Sequence, residues 1–221
     1  MISKLPRWVE YGAFVLAFTA GCVNAVGLLG FEHQAISHLS GTATLLGSGL
    51  SLGQLATSFH LAAILVSFLL GAALSGLLLP GSSLKLGRHY ETLLAIEGTL
   101  LLAATYFLEG GAYLGHYIAS MACGVQNALA TTYSGAVVRT THLTGIITDL
   151  GLILGHALRG RPFDRRRAAL FLTIVAGFLG GGAFGALLFA WLHFLALTIP
   201  AGICFSLALG YRLYSRRRTR D

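Results

Sequence analysis

Two polar segments of this chain repeat one pattern inside otherwise apolar sequence. In the first, Asn24 is followed by the run Ser37-His38-Leu39-Ser40-Gly41-Thr42, and in the second Asn127 is followed by Thr141-His142-Leu143-Thr144-Gly145. The offset is 103 residues between the asparagines and 104 between the histidines, close to half of the 221 residues, which indicates an internal duplication. Amide, hydroxyl and imidazole groups hydrogen-bond small polar solutes, and matched polar segments in two halves of a membrane protein indicate a central binding site.

Both segments also predict the start of a short helix. Hydroxyl residues suited to the N-cap position occur in each copy, namely Ser37, Ser40, Thr141 and Thr144. The apolar runs that follow are about three turns long, which is too short to cross a bilayer. We therefore predict two re-entrant half-helices that enter the membrane from opposite faces. Their N-terminal N–H groups would favour an anion or a carboxylate near the midplane.

Three ionisable residues extend this prediction. Arg139 precedes the second segment and would place a positive charge beside the half-helix, or else it would lie at the interface and reach the headgroups. Asp149 and Glu97 lie in apolar runs, where carboxylates are typical of proton or cation relays. Because Glu97 is near the predicted start of its helix, a position at headgroup level is the alternative.

The predicted site therefore consists of one set of polar residues and two coupling carboxylates. The solute-binding residues are Asn24, His38, Ser40, Thr42, Asn127, Arg139, Thr141, His142 and Thr144, and the coupling residues are Asp149 and Glu97. Each motif contains one histidine and no second ligand at metal-binding spacing, so we predict no metal site. We expect no cofactor. The chain has no nucleophile elbow, phosphate loop or zinc-protease motif, so we expect it not to be an enzyme.

The elements that must position these residues are apolar helices. The chain is 55% hydrophobic and 10% charged, a composition that indicates a membrane protein. Six segments are long and apolar enough to cross a bilayer, which takes ~20 residues each, near 9–30, 56–79, 92–109, 112–132, 168–190 and 193–211. We predict one integral membrane domain over 1–221, with repeat one at about 9–109 and repeat two at about 112–211. Tight hairpins are expected at 109–111 and around Trp191 to His193. Glycines four residues apart, such as Gly177, Gly181 and Gly185, predict close helix packing.

The positive charges indicate topology. Lys and Arg occur before the first segment, in 80–91, in 133–167 and after the last segment, and are absent from 31–55, 109–111 and 190–193. By the positive-inside rule both termini are cytoplasmic. With three crossings per half, the fold class is all-α: a polytopic membrane protein of six transmembrane helices in a 3+3 inverted repeat with two short re-entrant half-helices. The alternative is a parallel repeat of four crossings each, in which 38–52 and 142–157 span fully. Almost all of the Lys and Arg residues that give the net charge of +7 lie beside apolar segments, so no nucleic-acid partner is expected.

The quoted residues resemble a known family. The segments 21–25, 38–42, 124–128 and 138–145 are similar to signature segments of the YoaK-like family of bacterial inner-membrane proteins, and the likeness covers nearly the whole chain. It implies a six-helix protein of the bacterial inner membrane and says little about activity. Members usually carry Asp where this chain has Asn24, and an Asn-Met-Thr-Gly-Asn stretch at 38–42. The missing carboxylate argues against proton or cation coupling at that position.

The sequence thus predicts a transporter or permease of a small solute. An anion is favoured by the two helix ends, and membrane lipid is the expected surrounding partner. A non-transporting scaffold or accessory subunit, with the two motifs locked together by hydrogen bonds, is the main alternative, and an intramembrane enzyme acting on lipid is a third. The sequence leaves a homo-oligomer open and does not identify the solute.

Overall fold

The computed structural model describes residues 7–30, 36–79, 89–134 and 140–218, and within these ranges all regular structure is helical. The eight α-helices are α1 (Arg7–Gly30), α2 (Leu39–Ser51), α3 (Leu55–Leu78), α4 (Tyr90–Glu109), α5 (Leu114–Tyr133), α6 (Leu143–Leu158), α7 (Arg165–Leu192) and α8 (Thr198–Arg218). A short 3₁₀ turn, His193–Leu197, joins the last two.

Several helices are long and apolar enough to cross a membrane. Four continuous helical stretches of the described chain meet this condition, Glu10–Gly30, Leu55–Leu78, Tyr90–Glu109 and Arg165–Arg216, the last of which contains both α7 and α8. Five of the six predicted spans fall in these stretches. The sixth, 112–132, is a helix of the right length, but α5, which contains His116, Gln126 and Asn127, is not among these stretches.

The two remaining helices are short, as the sequence predicts. At 1.5 Å per residue, the 13 residues of α2 and the 16 residues of α6 extend about 20 and 24 Å, less than the ~30 Å of a hydrocarbon core. Each begins directly after the histidine of its polar segment. The two helices therefore carry the repeated motifs at their N-terminal ends.

The long helices pack in two close pairs, α1 with α7 and α3 with α5. A Cβ atom added at Gly181 of α7 would overlap the carbonyl oxygen of Phe18, and one added at Gly71 of α3 would overlap that of Met121. Gly177 and Gly185 extend the first interface towards Phe14 and Cys22, which confirms the predicted packing face. Residues without side chains let the helix backbones touch where no hydrophobic force drives them together.

Helix α4 packs on α5, and it forms a further pair with α8. Gly98 lies against the carbonyl oxygen of Ala201, and the ring of Tyr90 lies 6.1 Å from that of Tyr211, so residue numbers rise along α4 as they fall along α8. The two helices are antiparallel. The turn at 109–111 is tight, with Gly111 at a φ of 72°. The connection around Trp191 to His193 is short, as predicted, but the predicted hairpin is wrong. The two helices that it joins do not pair, because α7 packs on α1 and α8 packs on α4.

Candidate functional site

Each repeated asparagine binds the hydroxyl residue that precedes the histidine of its own copy. Asn24 Oδ1 accepts hydrogen bonds from the backbone N–H of Ser37 at 3.2 Å and from its hydroxyl at 2.8 Å. Asn127 Oδ1 accepts from the Thr141 hydroxyl at 3.2 Å. The two halves use the same residue types for the same contact. In each, the asparagine fixes the chain just before a short helix.

The histidines occupy the N-cap positions of the short helices. His38 has φ −92° and ψ 68°, and His142 has φ −95° and ψ 55°, so the backbone enters α2 and α6 in the same conformation. Neither side chain caps its helix. The prediction of Ser or Thr at the N-cap is therefore wrong. Ser37 and Thr141 are held by the asparagines, and Ser40 and Thr144 already lie inside the first turn.

Both copies border one cavity of about 690 Å³. Its lining is formed by Ser37, His38, Leu39, Ser40 and Gly41 from the first copy, by Asn127, Thr131, Thr141, His142, Leu143 and Thr144 from the second, and by Phe68. The volume lies within the range of about 300–1,000 Å³ that is usual for small-molecule sites. We call this space the central cavity. No Asp, Glu, Lys or Arg is part of its described lining.

The imidazole rings of His38 and His142 have different surroundings. The ring of His38 stacks on Phe178 at 5.8 Å. The ring of His142 folds back over Gly145, where an added Cβ would overlap it. Gly41, at the matching position, has nothing within 4 Å of such an atom. The second glycine thus makes room for its histidine.

Six of the predicted site residues line the central cavity, namely His38, Ser40, Asn127, Thr141, His142 and Thr144. Asn24 is 6% exposed and lies behind Ser37, and Thr42 is 4% exposed with its hydroxyl directed to the His38 carbonyl oxygen. Both therefore support the lining. Arg139 lies outside the described residues.

The two predicted coupling carboxylates lie away from the cavity lining. Asp149 pairs with Arg167 of α7 at 3.2 Å, and both side chains are more than a third exposed. Glu97 is 2% exposed, seven residues after the start of α4, and is hydrogen-bonded to the thiol of Cys204. Its Oε2 has no hydrogen-bond partner among the described residues. Glu97 is therefore a core residue of the helix bundle.

Two lining residues, Thr131 and Phe68, lie outside the two predicted motifs. Thr131 follows Asn127 by one helical turn, and its hydroxyl donates to the Asn127 carbonyl oxygen at 2.6 Å, so the helical period alone could have indicated it. Phe68 lies on α3 in an apolar run without a distinguishing pattern. It reaches the cavity because α3 packs against α5.

A comparison with known families covers both polar segments and the helices around the cavity. A profile described as Protein of unknown function (DUF1275) matches residues 12–210, a range that contains both polar segments and every helix that lines the cavity. The chain belongs to the DUF1275 family. This confirms the resemblance that the signature segments indicate. No curated protein and no solved structure matches the chain. The family description gives no activity.

Proposed function

We propose that this protein is a small-solute transporter of the bacterial inner membrane and that its solute binds in the central cavity. The observation that carries the proposal is the meeting of both copies of a duplicated polar motif at one cavity. Unsatisfied polar groups in an apolar medium cost several kcal/mol each, so groups placed at membrane depth need one another, water or a solute. Cavity-facing hydroxyls in both copies fit a solute.

The proposed topology has six crossings in a 3+3 inverted repeat, with α2 and α6 re-entrant and both termini cytoplasmic. The antiparallel packing of α4 on α8 supports it. If α2 and α6 spanned the membrane, α4 and α8 would be the fourth and eighth crossings and would run parallel. As the third and sixth crossings they run in opposite directions. The short lengths of α2 and α6 support the same arrangement.

Equivalent contacts in the two close helix pairs support the duplication. Gly71 meets the backbone of Met121, and Gly181 meets that of Phe18. Met121 lies 121 − 18 = 103 residues after Phe18, and Gly181 lies 181 − 71 = 110 residues after Gly71. Each interface thus joins one helix of the first half to one helix of the second. A pseudo-two-fold axis between the halves would generate this exchange.

The lining defines the chemistry of the solute. Hydroxyl, amide and imidazole groups hydrogen-bond polar atoms, and the N–H groups at the N-terminal ends of α2 and α6 favour the part of the solute that carries negative charge or carbonyl oxygens. A small organic anion, an amino acid or a neutral polar metabolite fits this description. We assign the protein no catalytic role.

A thermal-shift screen tests the proposal. Purified protein in nanodiscs is heated with a panel of organic anions, amino acids and neutral metabolites. A compound that binds the folded protein raises the melting temperature, and the rise grows with the ratio of its concentration to its dissociation constant. The hydroxyls of Ser40 and Thr144 face the cavity and have no hydrogen-bond partner in the described part of the chain. The double variant Ser40→Ala/Thr144→Val should therefore keep its melting temperature without solute and bind the solute about tenfold more weakly.

Thr44→Val and Thr148→Val are the matched controls. These threonines lie one turn further along the same two helices, outside the cavity lining, and their hydroxyls bond to the carbonyl oxygens of Ser40 and Thr144. They should leave solute binding unchanged. If no compound stabilises the parent protein, or if the double variant binds as tightly as the parent, the transport proposal is wrong and the scaffold function replaces it.

A further inference from the structure

A second polar cluster lies at the N-terminal ends of α3 and α5. His60 Nδ1 is 2.9 Å from the Tyr117 hydroxyl, and His60 Nε2 is 3.3 Å from Nδ1 of His116. The ring of Tyr113 meets that of His60 edge-on at 4.8 Å. His116 is 1% exposed, whereas His60 and Tyr117 line an open cavity of about 510 Å³. A chain of hydrogen bonds thus leads from an open pocket to a buried imidazole.

This chain can take up a proton without losing a hydrogen bond. In the neutral state Tyr117 donates to His60, which donates to His116, or the whole sequence runs in the opposite direction. When His60 is protonated, both of its N–H groups donate, one to the Tyr117 oxygen and one to His116 Nδ1. Each state satisfies the same two contacts, and those of the cation are charge-assisted.

The equivalent place in the other half of the molecule has no such cluster. Along the α3–α5 interface, residues of α3 lie opposite residues of α5 in the order His60/His116, Ile64/Ser120 and Phe68/Gly124. The equivalent residues of α7 and α1 are Leu170/Ala13, Ile174/Ala17 and Phe178/Gly21. In the second set, Leu170 and Ala13 are buried core residues. The α1–α7 interface is therefore packed at the equivalent position with apolar side chains alone. The histidine pair serves something other than helix packing.

The cluster is connected to the central cavity along one face of α5. Ser120 lies one turn after His116, is fully buried, and donates to the Ile64 carbonyl oxygen at 2.9 Å. Asn127 lies two turns further along the helix and lines the central cavity, as does Phe68, one turn after Ile64. In the proposed topology the cluster is at the external end of these helices. His116, Ser120 and Asn127 thus lie on one face of α5, between the outer pocket and the central cavity.

We infer that His60, His116 and Tyr117 form an external proton-binding site and that its proton is the coupling ion for the solute. The coupling part rests on the proposed transport function, and the proton site stands without it. Among described residues, the titratable groups that face His60 are His116, Tyr113 and Tyr117. Helix α2, which packs on α3, contains none, and Tyr106 and Glu109 of α4 border a separate depression. The proton binds between imidazole nitrogens and leaves by the same hydrogen bonds.

Histidine NMR tests the proton site. Protein labelled with ¹⁵N-histidine in nanodiscs is titrated between pH 5 and 8, the range in which imidazoles change charge. One titrating signal should disappear in His60→Gln. Its midpoint should fall by about half to one pH unit in Tyr117→Phe, because the imidazolium loses a charge-assisted bond that is stronger than its neutral counterpart. His156→Gln, at an exposed position on α6, is the control and should leave that signal in place.

The outcomes separate the two proposals. If neither His60 nor His116 titrates in this range, or if Tyr117→Phe leaves the midpoint unchanged, the proton site is wrong. If the site titrates and a solute is found, solute affinity should fall at least tenfold as the pH rises through the midpoint, and His60→Gln should abolish that dependence. Affinity that is independent of pH in the parent protein would overturn the coupling. A titrating site with no stabilising solute would overturn only the transport function.

Discussion

At the scale of residues, the repeated asparagines act as acceptors that hold the chain before each short helix. The buried amide oxygen of Asn24 accepts two hydrogen bonds from Ser37. Its removal would lower the stability of the fold, because two buried donors would be left without an acceptor. The contact is made by a neutral amide oxygen, so it needs an acceptor and no charge.

We predict that Asn24→Leu destabilises the protein by about 1–3 kcal/mol, because Ser37 keeps a buried backbone N–H and hydroxyl without an acceptor. The melting temperature in the absence of solute measures the loss. Asn24→Asp is the matched variant and should lose less, since either carboxylate oxygen can accept both bonds. Equal destabilisation by the two variants would show that the shape of the side chain, and not its acceptor oxygen, is what matters at this position.

Residue patterns revealed part of the site and missed another part. The duplication placed His38 and His142 at matching helix starts, because a repeated sequence repeats its local structure. It did not reveal that Ser37 and Thr141 are held by asparagines 13 and 14 residues earlier. His60 and His116 are 56 residues apart with no shared motif, and only the packing of α3 on α5 brings them together.

At the scale of helices, the close pairs depend on a few small residues. The Gly71 backbone touches that of Met121, and the hydroxyl of Ser75, one turn later, donates to the Val125 carbonyl oxygen at 3.0 Å. At the equivalent place on α7, Gly185 lies against Cys22. Length and apolar composition were enough to predict the helices themselves. The partner of each helix was not predictable from composition, because it depends on where two backbones can approach.

We predict that Gly71→Ala destabilises the protein by about 1–3 kcal/mol, since its methyl group would meet a backbone carbonyl that can move only with the whole of α5. Gly76→Ala is the matched control on the same helix, with nothing within 4 Å of the added atom, and should be neutral or stabilising. Thermal unfolding in nanodiscs compares the two. A loss of the same size in both variants would point to a change along α3 itself and not to the interface.

At the scale of the whole molecule, the direction of each helix makes the topology testable. The three cysteines are buried, so a single introduced cysteine reports its own position. Gln54, Glu109 and Arg161 are exposed residues at or beside helix ends. In the proposed arrangement the first two are external and the third is cytoplasmic.

We predict that an impermeant maleimide added to intact cells labels Gln54→Cys and Glu109→Cys but not Arg161→Cys, which should react only after permeabilisation. Labelling of the unaltered protein under the same conditions gives the background. Gln54→Cys is the decisive position, because full spans at α2 and α6 would place both it and Glu109→Cys in the cytoplasm. Protection of both positions in intact cells would contradict the six-crossing arrangement.

The pairing of α1 with α7 has a consequence for how the protein is made. The face of α1 that carries Gly21 packs on Phe178 and Gly182 of α7, a helix that is synthesised only after α2 to α6. During synthesis α1 must therefore wait in the lipid with its packing face uncovered, whereas α3 meets α5 much earlier. Neither half can complete its own core, so the membrane holds an open intermediate until α7, in the last quarter of the chain, leaves the ribosome. An early stop before α7 would leave α1 without its partner and the unfinished protein open to proteolysis.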